Sequence, residues 1–261
     1  MAGMAERMLN LQALRDASME HSPYSYAAID GLFAAEHAAR LAATYPDDHY
    51  RVVSGRQEKA YRYDARPFVA FGTSDVCFPD RLTTEWRQLG ADLASPEYRE
   101  AIGRLTAIDL SESPLEVNIF HYGPKSSLDP HLDLPDKLVT HVLYFNAQWQ
   151  REDGGCLRIL RSADPEDCVR EVLPLVGSSA IIVRSDRSWH SVPAVRKQAD
   201  VSRRSMTVTF YRPGSSSTLF SKAEHYRLVD VGPRGSNTAQ RLRVVADRLH
   251  RRLAGPSNSN D

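Results

Sequence analysis

Cysteine is scarce in this sequence: Cys77, Cys156 and Cys168 are the only three in 261 residues. They have no CxxC spacing, they cannot all pair, and none lies beside a histidine as a zinc pattern requires. A disulfide scaffold is therefore disfavoured, and reduced thiols in a cytoplasmic protein are the expectation. Long apolar runs are missing too. No stretch approaches the length of a membrane span, and the first residues lack a basic region followed by an apolar one, so a soluble chain is expected. Net charge is absent, with 33 Lys and Arg against 33 Asp and Glu. Nothing then points to nucleic acid or a membrane surface, and a small or neutral partner is the electrostatic expectation. Internal repeats are lacking as well.

What is present is an ordinary globular composition, 42% hydrophobic and 25% charged, in a chain long enough for one buried core. The expectation is a single domain over 1–261 in three parts. Residues 1–112 read as mainly helical, with helices over 1–19, 32–43, 81–93 and 96–106. Ser95-Pro96 supplies a cap and a first-turn proline for the last of these. Residues 22–31 read as a short extended entry, and Tyr61 and Tyr63 as phenols on an extended segment that could face a cavity.

From residue 113 to 212 the period switches to short β-branched runs broken by Gly, Pro, Asp and Ser: 115–122, 138–146, 155–160, 171–173, 179–183, 190–192 and 203–211. That pattern predicts an antiparallel sandwich or jelly roll, with the helices that precede it packed on one outer face, an α+β chain with a mostly β core. In residues 213–261 a last strand is expected over 225–231. Asn237 then caps a helix to residue 253, whose Leu242, Val245, Leu249 and Leu253 form an apolar stripe suited to the sheet or to a twin subunit, so a homodimer stands among the expectations.

The chemistry concentrates in residues 121–146. His131 and Asp133 are two apart on an extended segment, so imidazole and carboxylate point the same way and can converge on one ion. His190 follows the apolar run 180–183, with Trp189 before it. Beyond it the strand 203–211 places Arg203, Ser205, Thr207 and Thr209 on one face. Two histidines and one carboxylate are the facial triad of a non-haem Fe(II) site with open positions. The arginine is what a second, anionic ligand of that iron would require, since its fork can pair bidentately with a carboxylate and Ser or Thr can add a hydrogen bond. Arg204 is the rival clamp, but strand alternation sends it to the opposite face. His121 and His141 are rival ligands that the same alternation turns away from the face of Tyr122 and Tyr144. Asn118 shares the face of Tyr122.

His131-x-Asp133, His190 and Arg203-x-Ser205 resemble the signature of the Fe(II)/2-oxoglutarate-dependent dioxygenases, most closely their prolyl-hydroxylase-like branch. Tyr122-Gly123-Pro124, Leu143-Tyr144-Phe145-Asn146, Gly154-Gly155-Cys156-Leu157-Arg158-Ile159, Ser185-Asp186-Arg187 and Met206-Thr207-Val208 carry the likeness over roughly residues 113–212. The resemblance implies a double-stranded β-helix (a jelly roll, cupin-like) and Fe(II) held by His131, Asp133 and His190, with no catalytic residue beyond those ligands. Its co-substrates would be 2-oxoglutarate and O2, with Arg203 on the distal carboxylate of the former and Tyr144, Ser205, Thr207 and Tyr122 around it. It implies hydroxylation of an unactivated C–H with release of succinate and CO2. Relatives that halogenate replace the carboxylate with a small residue, so Asp133 argues for hydroxylation or another oxidation. The leading expectation is a small-molecule substrate, an amino acid derivative or specialised metabolite, in a pocket to which Asn118, Tyr61, Tyr63, Trp189 and the loop 134–137 contribute. A prolyl or other residue of a protein is the alternative. A non-catalytic jelly roll holding a metal is the third reading, against which the lack of a fourth well-spaced His or Cys counts.

Overall fold

The computed structural model describes residues 6–55, 60–196 and 202–233. The α-helices are α1 (Leu11–Asp16), α2 (Ala35–Ala43), α3 (Thr84–Leu93), α4 (Pro96–Thr106) and α5 (Glu224–Arg227). The strands are β1 (Tyr26–Ile29), β2 (Arg51–Gly55), β3 (Tyr61–Val69), β4 (Leu115–Tyr122), β5 (Ser127–His131), β6 (Lys137–Tyr144), β7 (Leu157–Leu160), β8 (Cys168–Val172), β9 (Ser179–Val183), β10 (His190–Val192) and β11 (Arg203–Tyr211).

The strands pair in the order β1-β9-β6-β11-β4-β3-β5-β10-β7-β8, every pairing antiparallel, with β2 on β3. One side of the barrel is the broad run from β1 to β3, the other the narrower β5-β10-β7-β8, and the Tyr61↔Leu128 pairing joins them. This nearly closed, mostly β architecture is a double-stranded β-helix.

The three central strands β6, β11 and β4 are buried on both faces, and alternation divides their side chains between two jobs. Val117, Ile119, Leu143, Met206, Val208 and Phe210 meet Leu41, Trp86, Leu89 and Ile102 of the helices. Phe120, Tyr122, Val142 and Tyr144 turn the other way, toward Leu157, Ile159 and Val192 of the narrower sheet. The helical layer thus stiffens the broad sheet from behind and leaves its inner face to the site.

Local chemistry sets where the helices begin. Ser95 Oγ accepts from the Tyr98 amide at 3.2 Å, with Pro96 in the first turn, and α4 spans the residues expected of it. The expected helix over 1–19 is reduced, within the described residues, to α1. The Met8 and Leu9 amides donate to the buried Asp92 carboxylate at 2.6 and 3.0 Å, and Asn10 caps α1 directly after them, so the chain before Asn10 is pinned outside a helix. The expected strand over 225–231 is also corrected. Ser221 and Glu224 bond each other's amides across a turn, and the short helix α5 begins at Glu224 instead. The helix expected from Asn237 to residue 253 lies outside the described residues. No helix of the described residues is long and apolar enough to cross a membrane.

Candidate active site

The site is built where β5 meets β10. His131 and His190 are direct partners across that pair, so their rings stand together, centroids 4.2 Å apart. Each Nδ1 lies 2.9 Å from a backbone carbonyl, Asp129 for His131 and Ser188 for His190. A carbonyl only accepts, so each Nδ1 carries the proton and each lone pair is placed on Nε2.

Asp133 follows two residues after β5, buried, and its ligand oxygen and a nitrogen of each histidine all lie within 4.8 Å of one another. Lys137 Nζ donates to one carboxylate oxygen at 2.7 Å and Thr140 Oγ1 to the other at 2.8 Å. Burial is the largest influence on this carboxyl and pushes its pKa up, but Lys137, His190 and His131 together outweigh it and hold it well below the usual carboxylate range. Two imidazoles, neutral once their Nε2 lone pairs bind a metal, and one ionised carboxylate are a donor set that suits Fe(II) and leaves its remaining positions open.

A cavity of about 440 Å³ opens in front of these three residues, between the two sheets. Arg203, Ser205, Thr207 and Thr209 all line it, as the alternation along β11 requires. Arg203 is 2% exposed. One of its terminal nitrogens donates to Ser205 Oγ at 2.7 Å, and its guanidinium lies 4.8 Å from the Tyr122 ring and 5.2 Å from the Tyr144 ring. Its Nε and the Tyr144 hydroxyl are buried with no hydrogen-bond partner among the described residues, donors left waiting for an anionic acceptor. Burial pushes the phenols up, Tyr122 to about 12, so both stay protonated donors. Gly155, at φ +69°, makes room for the arginine stem: a Cβ there would meet Arg203 Cδ at 3.2 Å and the Trp149 ring at 3.3 Å.

Asn118, Tyr61 and Tyr63 line the cavity, as does Tyr122; Tyr63 stacks on Tyr122 with centroids 5.2 Å apart. Tyr144 reaches the site through Arg203 and is not itself a wall of the cavity. Trp189 is not a wall either; its carbonyl accepts the Tyr24 hydroxyl at 2.8 Å. The rival residues turn away. His141 meets the Tyr98 hydroxyl at 2.8 Å on the helical side, His121 packs edge-on against Tyr45 and Tyr50, and Arg204 donates to the Ala42 carbonyl at 3.0 Å. Among the cavity residues that escaped sequence reasoning are Lys137, as a donor to Asp133, and then Thr140 and Glu116. The last two share the alternation of Tyr144 and Asn118, which is the signal that would have found them.

A second converging group, Asp48, His49 and Asp230, lies elsewhere. Arg66 and Arg81 already compensate its carboxylates, so it is an ion-pair cluster.

Residues 117–211 match the sequence model of the 2OG-Fe(II) oxygenase superfamily. The match runs from β4 through β11 and takes in His131, Asp133, His190 and Arg203. That family uses Fe(II), 2-oxoglutarate and O2, and the group His131, Asp133 and His190 is present to hold a metal. Among solved structures the chain is similar to a Pseudomonas putida prolyl-4-hydroxylase, with TM-score 0.52 and 22% identity over 77% of this chain and 98% of that one. It also matches a 2OG-Fe(II) oxygenase from Burkholderia pseudomallei, with TM-score 0.48 and 16% identity over 72% and 84% of the two chains. A third match is AviO1 from Streptomyces viridochromogenes Tue57, with TM-score 0.47 and 12% identity over 83% and 100%. No curated protein sequence matches the chain.

Proposed function

We propose that the chain is an Fe(II)- and 2-oxoglutarate-dependent oxygenase that hydroxylates an unactivated C–H of a small molecule, an amino acid derivative or specialised metabolite, with succinate and CO2 as by-products. The observation that carries this reading is the cavity of about 440 Å³ bounded by both the His131, Asp133 and His190 group and Arg203. In this reading the three residues hold Fe(II). Together with 2-oxoglutarate and O2 the metal supplies an oxidant able to exchange hydrogen for hydroxyl at carbon, chemistry that belongs to the cofactors and not to side chains.

The protein's part is placement. Asp129 and Ser188 fix the imidazole tautomers, and Lys137 and Thr140 keep the Asp133 carboxylate ionised and oriented. Arg203 takes the distal carboxylate of 2-oxoglutarate, helped by Ser205, the Tyr144 hydroxyl and Thr207. Apolar walls from Phe120, Val142, Leu157 and Val192 keep water from the reacting carbon. Asn118, Tyr61 and Tyr63 are left for the substrate.

The likeness to a prolyl-4-hydroxylase supports a second reading, a prolyl or other residue of a protein as substrate. Succinate formation separates the two. Pools of free amino acids and small metabolites should raise it above the rate without substrate, whereas stimulation by proline-containing peptides alone would move the assignment to the second reading.

A further inference from the structure

The cavity has a wall that belongs to neither sheet. After β11 the chain turns back across its open end, and Ser217, Thr218 and Leu219 line the cavity there. Three anchors hold this strap. Ser215 Oγ donates to Asp136 at 2.6 Å, in the loop that follows Asp133. Arg51 of β2 donates to the Leu219 carbonyl and lies 4.4 Å above the fully buried Phe220 ring.

The third anchor is Glu116 of β4, 1% exposed. It accepts from the Thr218 hydroxyl, from the Leu219 amide at 3.2 Å and from the Tyr211 hydroxyl at 3.0 Å, and the buried His225 ring stands 3.6 Å from the same carboxylate. Burial works against the charge, yet these bonds leave the carboxyl below its usual pKa, so Glu116 is an ionised group. A carboxylate buried at the substrate end of a cavity could instead recognise a substrate cation. Here its lone pairs are already spent on the strap and on Tyr211 of β11, and no Lys or Arg of the described residues pairs with it.

We infer that Glu116 is a positioning residue that latches the strap, residues 215–225, across the substrate end of the cavity, and that this closure selects compact substrates over a chain passing through. The inference rests on the oxygenase reading of the site and adds the element that sets substrate size. A peptide would have to displace Thr218 and Leu219, breaking a charge-assisted cluster in a dry site, which is costly. A small neutral molecule fits behind the strap and meets the hydroxyls of Ser217 and Thr218.

The test uses the full chain loaded with Mn(II) and 2-oxoglutarate. Amide exchange across residues 215–225 should be slow in the wild type and about tenfold faster in Glu116→Gln and in Thr218→Val, with Thr218→Ser restoring it. In a Cys168→Ser background, Thr209→Cys at the cavity wall should react with N-ethylmaleimide far faster than with a polyethylene-glycol maleimide of the same reactive group, and adding Glu116→Gln should erase that difference. Unchanged exchange in both strap variants would overturn the latch, and equal reaction with both reagents in Thr209→Cys alone would overturn the size selection. If the wild-type chain failed to bind Mn(II) and 2-oxoglutarate, the oxygenase site itself would fall, a separate result.

Discussion

His131 and His190 face each other across one antiparallel pair, and each is held by a carbonyl on its own strand or turn, 2.9 Å from Nδ1. A single register therefore sets both rings and both tautomers, and the carboxylate of Asp133 arrives by alternation from the same strand end. A slip of one residue would turn either ring to the other side of the sheet.

Arg203→Ala should weaken 2-oxoglutarate binding by roughly a hundredfold, the scale of losing a charge-assisted pair in a dry site. Arg204→Ala should leave that affinity nearly unchanged and lower thermal stability instead, because Arg204 serves the Ala42 carbonyl and the Tyr45 ring on the helical side. Calorimetric titration of the Mn(II)-loaded variants checks both, and equal losses would refute the face assignment.

Thr140→Val removes the donor to one oxygen of Asp133 while keeping the side chain's shape. Metal affinity should fall about 10- to 100-fold, the usual effect of losing a partner behind a ligand. Mn(II) titration measures it, and the fold should survive.

Gly155→Ala adds a carbon against the Arg203 stem at a backbone φ that only glycine adopts comfortably. Stability should drop by about 1 kcal/mol or more, and 2-oxoglutarate affinity should fall with it. Denaturant unfolding read beside the titration shows whether the two losses occur together.

His121 and His141 make the fold acid-sensitive. Burial depresses both to about 3, with the Arg204 charge adding to the effect at His121. The unfolded chain takes up protons on these rings near pH 6.5, and the folded chain resists until about pH 3, so stability is lost as pH falls through that window. The slope should approach about 1.4 kcal/mol per pH unit for each histidine. Denaturant unfolding from pH 7 to 4 should show it, and His141→Gln should reduce it.

The core of the fold was legible because β4, β9, β10 and β11 are short β-branched runs whose alternation is imposed by two different buried faces. The same alternation separated Arg203 from Arg204 and turned His121 and His141 away. β5 was harder to read: Asp129-Pro130 looks like a turn, and only the pairing with β10 and β3 makes it a strand. α1 was overestimated because Asp92, far away in sequence, captures the amides of Met8 and Leu9. The expected strand over 225–231 took no account of the Ser221 and Glu224 pairing, which turns the chain into α5. Glu116 and its strap depend on a contact between β4 and the segment after β11 that no local pattern encodes.

The most direct test of the account is anaerobic. Adding Fe(II) and then 2-oxoglutarate to the purified chain should produce the weak visible charge-transfer band of a chelated oxoacid, and His131→Ala, folded, should not show it. A folded wild-type chain without the band, or a His131→Ala variant that keeps it, would contradict the assignment of this site.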